Sequence, residues 1–247
     1  MTGVSRPSGP GRRGAALASM LIAASGIGCV VALPAQASAF RVPASQPLVL
    51  LLHDQVARTG PSGHSGRIES VPARRPLTRA RTVLPVLGQA TRSGRSWLRV
   101  RLPGRPNGHA GWISADRTKR SSTKWHLVVR RATRRVTIYR GGRVRRVFRA
   151  VVGGPSTPTP RGTFFIEEAV ALHSYESGGP FALATSARSN VFQEFAGGPG
   201  QIAIHGTNNL TGTPGTAVSH GCIRVGTRAI TWLARRIGAG VPLTIRG

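Results

Sequence analysis

Two short segments hold the residue types that can do covalent chemistry: His205-Gly206-Thr207-Asn208, and Ser219-His220-Gly221-Cys222-Ile223-Arg224. A cysteine acts as a nucleophile in its thiolate form. It needs an imidazole within reach to take its proton, and backbone N–H donors where a carbonyl oxygen turns into an anion. These segments supply all three. Gly206 has no Cβ to block approach to His205, and Gly221 lets the turn before Cys222 aim amides outward. Three other uses of these residues are conceivable. A zinc site built on His205, His220 and Cys222 lacks a fourth Cys or His nearby. A triad based on Ser219 lacks an Asp, since none follows Asp116, and serine is the poorer nucleophile beside a lone cysteine. An inert buried thiol would not need two flanking histidine-glycine pairs.

The elements that must position these groups read as short strands. Gln201 to Ile204 is a four-residue strand that delivers His205, after the glycine-rich Gly197-Gly198-Pro199-Gly200. Thr211-Gly212-Thr213-Pro214-Gly215 is a turn-rich loop able to bring the two segments together. Upstream, Trp125 to Arg131, Arg135 to Arg140 and Val144 to Val152 form a meander with a hairpin turn at Gly141-Gly142. Thr163 to Glu168 and Pro242 to Ile245 are further strands. One helix is predicted, after Cys222. Thr227 caps it, Ile230, Leu233, Ala234 and Ile237 fall on one face, and Gly238 ends it.

Before this unit, Arg81 to Leu87, Trp97 to Leu102 and His109 to Ile113 alternate apolar and polar residues between turn formers. The run Trp-Leu-Arg-Val followed by Gly-Trp-Ile resembles the bacterial Src-homology-three-like wall-binding barrels over residues 76–117. Residues 40–75 read as a short apolar element and a linker, and the polar stretch 118–123 as an inter-domain linker. The C-terminal unit, 124–247, should then fold alone.

Targeting and charge point in one direction. Arg6, Arg12 and Arg13 precede twenty uncharged residues and the small-residue sites around Ala37 and Ala39, the pattern of a cleaved export signal over 1–39. An uncleaved membrane anchor and lipidation of Cys29 are the alternatives. The 247-residue chain carries 35 Lys+Arg against 7 Asp+Glu, net +28, and 33 of those cations are arginine. With only 5% aromatic residues, this charge suits a polyanionic surroundings such as anionic cell-wall polymers, and no nucleic acid is expected as partner. Two cysteines exclude a disulfide-stapled or Cys-rich zinc module.

Ile204-His205-Gly206-Thr207-Asn208 followed by Ser219-His220-Gly221-Cys222-Ile223-Arg224 closely resembles the signature of the L,D-transpeptidases, bacterial enzymes that cross-link peptidoglycan. The likeness runs over 124–246 and includes Thr159-Pro160-Arg161-Gly162-Thr163-Phe164. It implies a β-sandwich, making the chain mainly β, with the small barrel first and the sandwich with its one helix second. It also implies acyl transfer through a thioester, with neither metal nor cofactor. Cys222 would attack the carbonyl of the third-position diamino acid of a peptidoglycan stem peptide. His205 would be the general base, oriented by the Gly206 carbonyl, and His220, Gly221 and Cys222 would form the oxyanion pocket. Ser219 and Gly206 would lie along the substrate. Many members carry Asn where this chain has Arg224, which leaves that residue between contact with a substrate carboxylate and support of a loop.

Overall fold

The computed structural model describes residues 40–173, 175–195 and 197–247, so the export signal expected at 1–39 lies outside the described residues. Phe40–Gly247 makes one compact unit built on two sheets. The first sheet contains β1 (Gln46–Leu51), β2 (Gln55–Arg58), β3 (Arg67–Val71), β4 (Val83–Arg92), β5 (Arg95–Arg101), β6 (Ala110–Ser114) and β7 (Thr118–Thr123), in the order β3-β2-β6-β5-β4-β1-β7. After it come β8 (Trp125–Arg130), β9 (Arg135–Arg140), β10 (Arg143–Arg149), β11 (Val152–Gly153), β12 (Gly162–Ala171) and β13 (Phe181–Arg188). The chain ends with β14 (Gln201–His205), β15 (Ala217–Ser219), β16 (Ile223–Arg224), α1 (Thr227–Ala234) and β17 (Pro242–Arg246). Eight of these form a sheet ordered β10-β9-β8-β17-β12-β13-β14-β16, while β11 and β15 pair in parallel beside it. The described residues are mainly β with a single helix, as expected.

The domain boundaries differ from the sequence reading. The stretch 118–123, expected as a linker, is β7, paired residue for residue with β1 from Leu51↔Thr118 to Gln46↔Thr123. Its polar sequence reflects its position, because β7 is an outer strand of its sheet and needs no apolar outer row. The segment 40–75 is also not a linker, since it contributes β1, β2 and β3. The region 76–117 therefore holds only three of the sheet's seven strands, and no ladder joins the outer strands β3 and β7.

Each sheet has its own core, and β12 sends side chains from the second into the first. Phe165 on β12 is fully buried among Leu51, Leu84, Leu98 and Ile113 of the first sheet. Behind it, Glu167 accepts ion pairs from Arg75 and, at 3.1 Å, from Arg188, with all three side chains buried. Glu168 Oε2 accepts from the Thr78 amide (2.9 Å) and hydroxyl (2.7 Å). The second core gathers Leu127, Ile138, Ile166, Leu183, Ile204 and Leu243, closed by Ile230 and Leu233 of α1. Gly226 occupies the helix N-cap without any side-chain cap. Thr227, expected there, instead donates its hydroxyl to Asn208 Oδ1 at 3.0 Å, and the helix stops at Ala234, ahead of Gly238.

Candidate active site

Parallel pairing of β14 with β16 brings the two chemical segments together. The register sets Ile204 against Ile223 and His205 against Arg224, so Cys222, just before β16, comes level with Ala203. The Ala203 amide points at Cys222 Sγ, 3.4 Å away. Cys222, His205, His220 and Arg224 all line one cavity of about 510 Å³, together with Phe192 and Phe195. Burial is the main force on the thiol and pushes its pKa up, opposed by the Ala203 amide and the Arg224 charge. Burial also lowers the pKa of His205; the Gly206 carbonyl works against that and Arg224 adds to it. Both groups therefore rest neutral. His205 Nδ1 lies 2.9 Å from Gly206 O, a bond that needs a proton on Nδ1 and leaves Nε2 as a lone-pair acceptor.

Residues 124–245 match the family model of the YkuD L,D-transpeptidase catalytic domain. The chain is also 31% identical over 121 residues to the Bacillus subtilis (strain 168) protein named "Putative L,D-transpeptidase YkuD". That alignment covers 49% of this chain and 65% of the relative. Among solved structures, an L,D-transpeptidase from Mycobacterium smegmatis superposes with a TM-score of 0.39 at 19% identity, covering 66% of this chain and 99% of that one. L,D-transpeptidase 3 from Mycobacterium tuberculosis gives a TM-score of 0.44 at 14% identity, covering 68% and 92%.

Within the matched stretch, the turn carrying Cys222 is fastened from below by the motif Thr157-Pro158-Thr159. Thr157 Oγ1 donates to Ser219 O (3.0 Å), and Thr159 Oγ1 donates to Gly221 O (2.8 Å) while accepting from Gly153 N (2.9 Å). Gly221 has φ +120°, a conformation that side chains disfavour. Its amide is turned inward to Ser219 Oγ at 3.2 Å. That is a correction: of the three residues expected to form an oxyanion pocket, only His220 and Cys222 keep amides without a protein partner among the described residues.

Ser219 and Gly206 also differ from expectation, for neither lines the cavity. Ser219 is 1% exposed, and its Oγ donates to Cys222 O at 2.6 Å, closing the same turn. Gly206 is buried against Gly178 and Gly179; a Cβ there would stand 2.0 Å from Gly179 O. It is glycine because two backbones meet. Arg224 does line the cavity, yet its Nη1 donates to Thr211 O at 2.6 Å, so the guanidinium holds the loop that follows His205. Sequence reasoning missed Phe192 and Phe195, whose rings lie 6.0 and 5.6 Å from the His220 ring. Two phenylalanines three residues apart, just before Gly197-Gly198-Pro199-Gly200, are the signal the sequence offers for them. Among the described residues no group of three His, Cys, Asp or Glu side chains is placed to hold a metal.

Proposed function

We propose that this chain is an exported L,D-transpeptidase that cross-links peptidoglycan through a thioester on Cys222. The observation that carries the reading is the shared cavity in which Cys222 meets a neutral His205 whose Nδ1 faces the Gly206 carbonyl. In the proposed reaction Sγ attacks the carbonyl carbon of the third stem residue as His205 Nε2 takes the thiol proton. The oxyanion forms against the His220 and Cys222 amides. Collapse breaks the C–N bond, and the proton on Nε2 leaves with the terminal D-alanine amine. An amine of a neighbouring stem then attacks the thioester, gives up a proton to His205, and restores the thiol. Arg224 serves this cycle by charge, because a fixed cation favours thiolate over thiol and neutral imidazole over imidazolium.

The basic surface fits anionic wall polymers as a second partner. No acidic residue occurs between Asp116 and Glu167, a span that includes Arg135, Arg140, Arg143, Arg145, Arg146 and Arg149 on β9 and β10. Arg140 stacks over Trp125 at 5.2 Å, while Arg146 and Arg236 stack on Trp232 at 5.0 and 4.6 Å. A stacked guanidinium keeps its in-plane N–H edge free for a phosphate or carboxylate.

Incubation of the purified protein with a disaccharide-tetrapeptide, read by mass, tests the reading. A cross-linked dimer with release of D-alanine is expected. A tripeptide product alone would make the protein a hydrolase that uses water as acceptor, and unchanged substrate would sink the catalytic assignment.

A further inference from the structure

Three carbonyls in and beside the cavity wall converge on one side chain from a connection of the first sheet. Arg105, in the connection between β5 and β6, donates through Nη2 to Ser189 O (2.9 Å) and Phe192 O (2.8 Å), and through Nη1 to Pro199 O (3.0 Å). Two residues on, Asn107 grips the end of β13. Its Oδ1 accepts from Arg188 N at 2.8 Å, and its Nδ2 donates to Arg188 O (2.7 Å) and Asn190 Oδ1 (3.0 Å). The wall's own bonds are local: Ser189 N donates to Gly200 O (2.7 Å), and Ser189 Oγ accepts from the Val191 and Phe192 amides. These shape a turn but do not fix where it stands. Converging carbonyl dipoles repel one another, and a guanidinium answers all three here from two nitrogens of one rigid planar fork.

We propose that Arg105 and Asn107 are positioning residues through which the N-terminal sheet sets the width of the acyl-donor pocket. The wall they hold carries Phe192 and Phe195 against His220, within the turn that presents Cys222. Neither residue touches Cys222 or His205. Their effect falls on how tightly a donor stem is gripped, and this rests on the transferase reading above.

Hydrogen exchange tests the latch independently of activity. In full-length Arg105→Ala and Asn107→Ala proteins, amides of Val191 to Phe195 should exchange about tenfold faster or more, the equivalent of one lost hydrogen bond to a charged or buried group. Protection in β8 and β9 should stay at the wild-type level. Arg105→Lys should recover only part, because a single ammonium nitrogen does not reproduce the two-nitrogen planar fork. In the activity arm KM for a disaccharide-tetrapeptide should rise about tenfold with kcat within about twofold, since the nucleophile turn is untouched. Alkylation of Cys222 by iodoacetamide should be no slower than wild type. Wild-type exchange at Val191 to Phe195 in both alanine variants, or equal acceleration in every strand, would overturn the latch. If Arg105→Ala does not fold, Arg105→Lys and Asn107→Ala carry the same comparison. A wild-type protein inert toward tetrapeptide would instead overturn the transferase reading, while the exchange result would still decide the latch.

Discussion

At the scale of single residues, the proposed reaction starts from two neutral groups. Burial raises the pKa of Cys222 and lowers that of His205, so a resting thiolate–imidazolium pair is disfavoured and the proposed role of His205 falls during attack. The sign sets the pH dependence. A histidine held below its ordinary value of about 6.5 stays a competent base down to more acidic pH, so the acid limb of kcat/KM should lie below that value. An acid limb at or above about 6.5 would contradict the burial argument. Replacing His205 with Ala should slow acylation by about two to four orders of magnitude, with partial recovery at alkaline pH as thiolate forms directly. Carbapenem-type β-lactams, which the family likeness implies as acyl donors, give the cleanest readout: a mass adduct confined to the Cys222 peptide and absent in Cys222→Ala. The meeting of Cys222 and His205 was legible in sequence because each sits in a short His-Gly-bearing motif. The use of the Gly221 amide was not, because it depends on where Ser219 Oγ points.

At the scale of elements, the turn before β16 is held by groups that a motif shows only as a string of letters. Thr159 is buried, and its hydroxyl serves Gly221 O and Gly153 N together. Thr159→Val keeps the shape but strands a buried carbonyl and a half-buried amide, which should cost about 2–4 kcal/mol in denaturant unfolding. It should also slow acylation more than it changes donor binding. A variant as stable and as fast as wild type would show the turn to be self-supporting. The strands that were legible, such as β9 and β14, alternate apolar and polar residues or end on a chemical motif. Strand β13 was not, because Phe181–Arg188 is buried along nearly its whole length and shows no alternation. Strand β10 is the opposite case: an outer strand, exposed almost throughout, whose arginines shield it from pairing with other chains. Those arginines lead to a separate expectation. Retention on isolated cell walls should fall steeply between about 50 and 500 mM salt, as the Debye length shrinks from roughly 14 to 4 Å. Changing Arg140, Arg143 and Arg146 to Gln should flatten that dependence without altering Cys222 acylation. Retention that ignores both salt and these changes would move binding to another surface.

At the scale of the whole molecule, residues of the second sheet reach into the first, so the two should unfold together. Sequence could not show this, because the joining residues lie far apart: Phe165 reaches the first core, and Glu167 holds Arg75 from the β3–β4 connection and Arg188 at the end of β13. A chain beginning at Thr123 would expose Phe165 and leave Glu167 one cation short in a buried site, so it should lack a cooperative thermal transition. His126 makes the same junction sensitive to pH. It is buried on β8, with Nδ1 at 2.9 Å from Gln46 Oε1 of β1 and Nε2 at 2.9 Å from Thr244 Oγ1 of β17. Gln46 Oε1 can only accept, so Nδ1 carries the proton and Nε2 accepts from the threonine hydroxyl. Burial lowers the His126 pKa to about 4. Above about 6.5 neither the folded nor the unfolded chain protonates this ring, and its contribution to stability is complete. As pH falls from about 6.5 toward 4, the unfolded chain takes up a proton that the folded chain refuses, so stability is lost across that window and levels off below it. The full loss is on the order of 3 kcal/mol, at about 1.4 kcal/mol per pKa unit. Denaturant unfolding at pH 7.5 and pH 4.5 should show most of that difference in the wild type, and His126→Gln, which cannot titrate, should reduce it. An unchanged pH dependence in the variant would place the acid sensitivity at other groups.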